Sequence, residues 1–326
     1  MRAVQDGRHG YPGNVRRLNS QPQPWRGRFA LAATVIIWSS PPIFQYWLAR
    51  PFDPWAQNFY RYAAGVLTMA PFLLGAVRRR PLRDISARDW FGCLAASVPN
   101  VMHQVAQTMA VVVLLPGIYS LLGRLSVIMT AVLAFVLFAD ERWIARSLKF
   151  QLGILLGLAG LAGLVWTPGG GPAVSMTMHG VWLALAAAAG WAFYGVCVKM
   201  FARHAGPTLG FGIIGFFTSV LLLPLMLLFG DASSVLRADA WTNIVLFGSG
   251  AISIGLGHWL YYIGIRELGA APAQSALLLC PVGTMLLSAG LFGERFRGEQ
   301  LVAGAVLLLG AFLALSARPP VIEEPA

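Results

Sequence analysis

Ten stretches of about twenty mostly apolar residues follow one another along this chain, at 29–48, 55–77, 90–115, 117–138, 148–166, 180–200, 209–229, 241–265, 270–292 and 298–317. A helix of that length spans the roughly 30 Å hydrocarbon core of a bilayer. The stretches leave no segment for a soluble domain, so the expected fold is an all-α integral membrane protein. The breaks between them carry Pro and Gly: Arg-Pro-Phe-Asp-Pro at 50–54, Pro81, Pro116-Gly117 and Thr167-Pro-Gly-Gly-Gly-Pro172. Most connections are short, which makes neighbouring helices antiparallel. Composition agrees: 57% of the residues are hydrophobic and only 11% charged, against about 25% charged in soluble domains. That balance excludes a soluble enzyme and a disordered chain. Three cysteines, each inside an apolar run, exclude a disulfide scaffold.

The net charge of +11 does not describe a nucleic-acid binder, because the basic residues flank apolar runs instead of forming one stripe. Basic residues concentrate in cytoplasmic loops. With the N-terminus inside, inner segments hold 18 Lys and Arg, outer segments hold 4, and Arg61 and Arg124 lie within spans. Both termini are therefore expected in the cytoplasm. Residues 1–28 read as a basic, unstructured tail, 167–178 as a Gly/Pro linker and 318–326 as a C-terminal tail.

The chain reads as a duplication. Glu141-Arg142 follows the fourth span and Glu294-Arg295 the ninth, 153 residues later; Trp90 opens the third span and Trp241 the eighth. Each half, 29–166 and 179–317, holds five spans. An odd number places the second half upside down relative to the first, an arrangement of secondary transporters with a site between the repeats.

These residues resemble the drug/metabolite transporter superfamily, and within it the ten-helix EamA-type exporters. The matching positions are Ile37-Trp38-Ser39, Pro54 with Arg61, Glu141-Arg142 followed by Gln151 and Gly153, and Pro281 ahead of Glu294-Arg295, Gln300 and Gly304. The first-half equivalent of Pro281 is Ile128, a departure from the pattern. The resemblance implies a carrier in a bacterial-type inner membrane that moves small metabolites outward, often amino acids. It implies a small-molecule substrate and the lipid bilayer as partners, no nucleic acid and no cofactor. One chain holds both halves, so a monomer suffices.

All 13 acidic residues fall in expected loops or helix ends. A proton-coupled pump commonly keeps a carboxylate within the membrane, so a facilitator fits better. Arg124, about seven residues into the fourth span, has no intramembrane acid to pair with. It is read as reading a substrate carboxylate, against snorkelling or bonding to carbonyls where a helix ends. Arg61 is assigned a structural or gating role, with Glu141, Pro281 and Glu294; each glutamate is read as capping or bracing the helix that follows it. Asn100, His103, Gln104 and Gln107 share one face of the third span and are read as cavity lining. Trp38, Trp191, Tyr194, His258 and Tyr262 supply aromatic walls, and Tyr119, Ser120 and Gln274 are lesser candidates.

Two other classes are weaker. A membrane enzyme using His103 or His258 lacks an acid to orient the imidazole, and no His-Glu-x-x-His spacing occurs. An inverted duplication without an output domain argues against a channel or receptor. Within the carriers, the alternative is an exporter of drug-like or sugar-like solutes with proton coupling through a histidine.

The charge asymmetry is testable with C-terminal fusions. A reporter that matures only in the cytoplasm is expected to be active and one that folds only outside to be inactive; the opposite result overturns the orientation.

Overall fold

A computed structural model describes residues 24–79, 81–138, 146–167, 177–198, 207–268 and 270–316. Those residues form ten helical passes. The first pass begins at Pro24, inside the stretch read as a tail, and is split into α1 (Pro24–Trp38) and α2 (Pro41–Leu48). Then come α3 (Pro54–Arg79), α4 (Ala87–Leu114), the split pair α5 (Pro116–Leu122) and α6 (Leu125–Leu137), and α7 (Leu148–Trp166). The second half has α8 (Met178–Cys197), α9 (Pro207–Phe229), a short α10 (Ser234–Arg237) in the connection, and α11 (Ala240–Gly250). A π-helical turn at Ala251–Leu256 joins α11 to α12 (Gly257–Leu268), and α13 (Ala270–Leu277), α14 (Cys280–Phe292) and α15 (Gly298–Leu315) complete the chain. Glu141, most of the 167–178 linker and the C-terminal tail lie outside the described residues.

Seven runs are long and apolar enough to cross a membrane by length and composition. The other three passes, α1–α2, α3 and α4, carry buried polar groups: Gln45, Gln57, Asn58, Arg61, Asn100 and Gln104. Large apolar side chains cover the outside, with Ile36, Leu67, Leu228 and Leu286 all more than two-thirds exposed. A surface of that kind is unstable in water and stable against lipid.

Short polar side chains start several helices. Ser86 accepts from the Asp89 amide at the start of α4, Thr177 from Gly180 at α8, and Asp239 from Thr242 at α11. Each satisfies one of the amides that a helix start leaves open. Pro116 occupies the first turn of α5, where no amide donor is needed.

The two halves meet most extensively along α7 and α15. Small residues let the backbones touch, the packing mode that works where lipid removes the hydrophobic drive. A Cβ at Gly310 would stand 2.5 Å from the Gly157 amide nitrogen and 2.7 Å from the Gly153 carbonyl oxygen. Gly157 and Gly310 are 153 residues apart, the offset of the duplication. The crossing point thus joins equivalent positions of the two repeats.

Gly310→Ala is expected to cost about 1–3 kcal/mol by overpacking, read as a lower melting temperature of the purified protein. Gly290, beside which a Cβ meets nothing within 4 Å, is the control: Gly290→Ala leaves stability unchanged or slightly higher. Equal effects would contradict the crossing.

Candidate functional site

Four passes are interrupted, and the interruptions face one cavity. In the first pass the helix breaks at Ser39-Ser40-Pro41-Pro42. The Ser39 and Ser40 hydroxyls donate to the carbonyls of Val35 (2.7 Å) and Ile37 (2.6 Å), and Thr284 Oγ1 donates to the Ser39 carbonyl at 2.8 Å. In the fourth pass the break falls at Gly123-Arg124, and in the ninth at Leu278-Leu279. In the eighth pass the π-helical turn shifts the bonding register, and Trp38 Nε1 donates to the Ser253 carbonyl at 2.9 Å. Gly257 makes room for the indole, because a Cβ there would lie 2.5 Å from Trp38 Nε1. π-Helical turns recur at functional sites.

The cavity encloses about 900 Å³ of space free of protein atoms, its open mouth included. Trp38, Pro41, Pro42 and Gln45 line it from the first pass, Arg61 from α3, and His103, Gln104 and Gln107 from α4. Tyr119, Ser120, Arg124, Ser126 and Val127 line it around the break of the fourth pass, and Trp191 from α8. Ser253, Ile254 and His258 come from the eighth pass, and Gln274, Leu277, Cys280 and Thr284 from the ninth. Both repeats contribute, and α7 and α15 stand outside the wall.

Three of the residues singled out as binding candidates do not reach the cavity. Asn100 points away and donates to Tyr62 Oη (2.8 Å) and Thr218 Oγ1 (3.0 Å), tying α4 to α3 and α9. Tyr194 and Tyr262 share a hydrogen bond behind Trp191. Conversely, Gln45, Ser126, Ser253 and Thr284 line the cavity without having been selected. The Ser-Ser-Pro-Pro run at 39–42 was the available signal for Gln45, which sits one turn beyond the break. Arg61, assigned a structural or gating role, is 2% exposed and lies in the wall, its Nε donating to Ser249 Oγ at 3.0 Å.

Gln107 is both wall and glue: its Nε2 donates to Gln45 Oε1 at 2.7 Å, while Gln45 Nε2 donates to Thr108 Oγ1 at 3.1 Å. The amides are thereby fixed before any ligand enters. The rings that line the cavity run in an unbroken chain. His103 and Trp191 have centroids 5.0 Å apart, Trp191 and Trp38 6.3 Å, and Trp38 and His258 4.9 Å.

Arg124 begins α6 at the break instead of lying within a continuous helix. Its Nη1 donates to the Leu277 carbonyl at 3.2 Å, and its Nε is buried without a partner. Leu277 is the last residue of α13, so the guanidinium sits on the negative end of the opposite broken helix. Arg124 and Leu277 are again 153 residues apart. Arg61 Nη1 and Ser253 Oγ are also buried without partners. Two guanidiniums thus line a cavity whose wall, among the described residues, holds no carboxylate. Buried polar atoms are normally paired, so these three are exceptions clustered in residues of the cavity wall.

Chain comparison agrees with this architecture. The sequence matches the EamA-like transporter family over residues 25–166 and 178–316. The chain belongs to the EamA-like transporter family. An Escherichia coli (strain K12) protein described as an uncharacterized inner membrane transporter, YedA, is 28% identical over 311 residues, covering 90% of this chain and 95% of that one. The uncharacterized Pseudomonas aeruginosa protein PA1977 is 30% identical over 258 residues, covering 79% and 83%. A protein of known crystal structure has the same fold, with a TM-score of 0.57 at 18% identity over 90% of this chain and 97% of that chain. The chain is a membrane transporter of two repeats.

Glu294 corrects a reading made from local sequence. It does not cap α15, the helix that follows it, where Gln300 Oε1 accepts from the Arg297 amide instead. Its carboxylate crosses to the other repeat and accepts from the amides of Gly117 (2.9 Å) and Ile118 (3.2 Å) at the start of α5, and from the Ser288 hydroxyl. Burial pushes the Glu294 carboxyl above its ordinary 4.5, against the hydrogen bonds from Ser288, Gly117 and Ile118, which pull it down. A carboxyl raised in the folded state contributes stability below its unfolded value that is lost as pH rises through its folded value. The wild type is therefore expected to lose stability between about pH 4.5 and the folded value relative to Glu294→Gln, measured by thermal melts across pH. A parallel pH profile for the two proteins would contradict the assignment.

Proposed function

We propose that this protein is a secondary carrier that exports small carboxylate-bearing metabolites, amino acids foremost, by alternating access in the inner membrane. The observation that carries this reading is Arg124. A guanidinium at a helix break, in the wall of a cavity between two inverted repeats, with no carboxylate in that wall among the described residues, is suited to receive an anion. A carboxylate is the anion that matches its forked donors and its placement between rings. The ring chain from His103 to His258 supports a cargo with an apolar or aromatic side chain.

The absence of a carboxylate from the described cavity wall supports a facilitator in preference to a carboxylate-coupled proton pump. Rocking one five-helix half against the other about the α7–α15 crossing would expose the cavity to each side in turn. The description of the Escherichia coli relative as an inner membrane transporter supports the location. The distribution of basic residues supports cytoplasmic termini.

Counterflow in proteoliposomes tests the proposal. Vesicles preloaded in turn with neutral, aromatic, acidic and basic amino acids are expected to exchange at least one of them without a proton gradient. Arg124→Ala should lower that exchange about tenfold or more, the loss of one charge-assisted hydrogen-bond pair. Undiminished exchange in Arg124→Ala would defeat the carboxylate role. Exchange of a cationic dye alone, and only with a gradient, would favour a histidine-coupled exporter of drug-like solutes.

A further inference from the structure

A second cavity lies on the outside of the bundle. α14 and α15 are consecutive helices joined by residues 293–297, yet each packs chiefly on another helix, α14 on α5 and α15 on α7. Between them runs a slot of about 690 Å³, its open side included. Val282 and Ala289 line it from α14, Leu301 and Leu308 from α15, and Leu121 of α5 forms its floor. Gly304 lets the floor come close, because a Cβ there would stand 2.8 Å from Leu121 Cδ1. Val282 to Ala289 and Leu301 to Leu308 each cover two turns, so the slot extends about 10 Å along both helices, inward from their connection.

Every side chain that lines the slot is apolar. Water inside would find no hydrogen-bond partner. Val282 and Leu301 stay exposed along the rim, on the surface that faces lipid. The matching occupant is a hydrocarbon chain.

The connection at the end of the slot says which lipid carries that chain. Phe296 lines the slot, and the residues on either side of it, Arg295 and Arg297, are exposed. Neither arginine forms an ion pair among the described residues, whereas Arg237, another of the four cations expected on the outer side, is paired with Asp231. Glu294 is buried and turned towards the Gly117 and Ile118 amides. Glu299, exposed in the first turn of α15, offsets one of the two arginines. The exposed charge beside the slot is therefore one net positive. Guanidiniums at headgroup level attract anionic lipid and grip phosphate oxygens with paired donors.

We propose that the slot between α14 and α15 binds one acyl chain of an anionic phospholipid, with Arg295 and Arg297 holding its headgroup. The chain packs on the back of α5, the half-helix whose Tyr119 and Ser120 line the central cavity. α5 has only seven residues, so the lipid braces an element too short to hold its place alone.

Native mass spectrometry tests this, using the purified full chain stripped of lipid in detergent and titrated with dioleoyl phosphatidylglycerol or dioleoyl phosphatidylethanolamine. The wild type is expected to bind one phosphatidylglycerol about fivefold more tightly than phosphatidylethanolamine, the effect of one net charge at headgroup level. Arg295→Gln combined with Arg297→Gln should abolish that preference. Ala305→Phe fills the slot from α15 and should remove the tight phosphatidylglycerol, with an unchanged melting temperature in lipid-free detergent. Ala289→Phe fills it from α14 and gives the same reading where Ala305→Phe does not fold. Equal wild-type binding of the two lipids, or an undiminished preference in the folded Phe variants, overturns the proposal. A dimer that excludes lipid and separates in Ala305→Phe would also overturn it, and would give the slot to a second copy of the chain.

Discussion

Inside a bilayer, a backbone carbonyl that loses its helical partner has no water to turn to. Non-helical backbone at membrane depth is tolerated only where it is buried in protein or lines a wet cavity. The centre of this protein follows from that constraint. Its breaks in the first, fourth and ninth passes, and the π-helical turn in the eighth, all face one cavity, and their freed carbonyls meet side chains on other passes. Thr284 reaches the Ser39 carbonyl, Trp38 the Ser253 carbonyl and Arg124 the Leu277 carbonyl. The groups that repair the breaks are also the groups that line the cavity. Removing them would not leave an empty site; it would leave backbone without partners.

The duplication organises these contacts. Arg124 meets its own repeat equivalent at Leu277, Gly310 meets Gly157, and Glu294 reaches the start of the opposite repeat's broken pass. Contacts between equivalent positions lie on the axis that relates the halves. A motion that exchanges the conformations of the two repeats must remake these contacts, while the α7–α15 crossing keeps the halves together. The amide network among Gln45, Gln107 and Thr108 holds the wall side chains in place before cargo arrives.

The passes were legible in the sequence because twenty apolar residues have few alternatives in a membrane. The shared face of His103, Gln104 and Gln107 followed from helical periodicity, and the structure places those three in the cavity wall. Asn100 shares that periodicity but faces Tyr62 and Thr218, because the stripe runs past the cavity into the contact with α3 and α9. The breaks were less legible: Gly123-Arg124 and Leu278-Leu279 lack the Ser-Ser-Pro-Pro signature of the first pass, and they persist through tertiary partners 153 residues away. Glu294 was misread for the same reason. Local sequence offers the following helix as its partner, whereas the fold offers the amides of Gly117 and Ile118. Composition defines the class of molecule, while the cargo depends on how a few polar atoms are aimed.

The central claim, that the cavity between the repeats is where cargo binds, is tested most directly by ligand protection. Gln274→Cys, in a chain whose Cys93, Cys197 and Cys280 are replaced by alanine, puts one thiol in the cavity wall; Leu286→Cys puts one on the outer surface. The account predicts that a water-soluble thiol reagent labels the cavity cysteine and that an exchanged amino acid slows this labelling, with no effect of the amino acid at Leu286→Cys. Labelling of the cavity cysteine at an unchanged rate, under saturating amounts of an amino acid the protein exchanges, would contradict it.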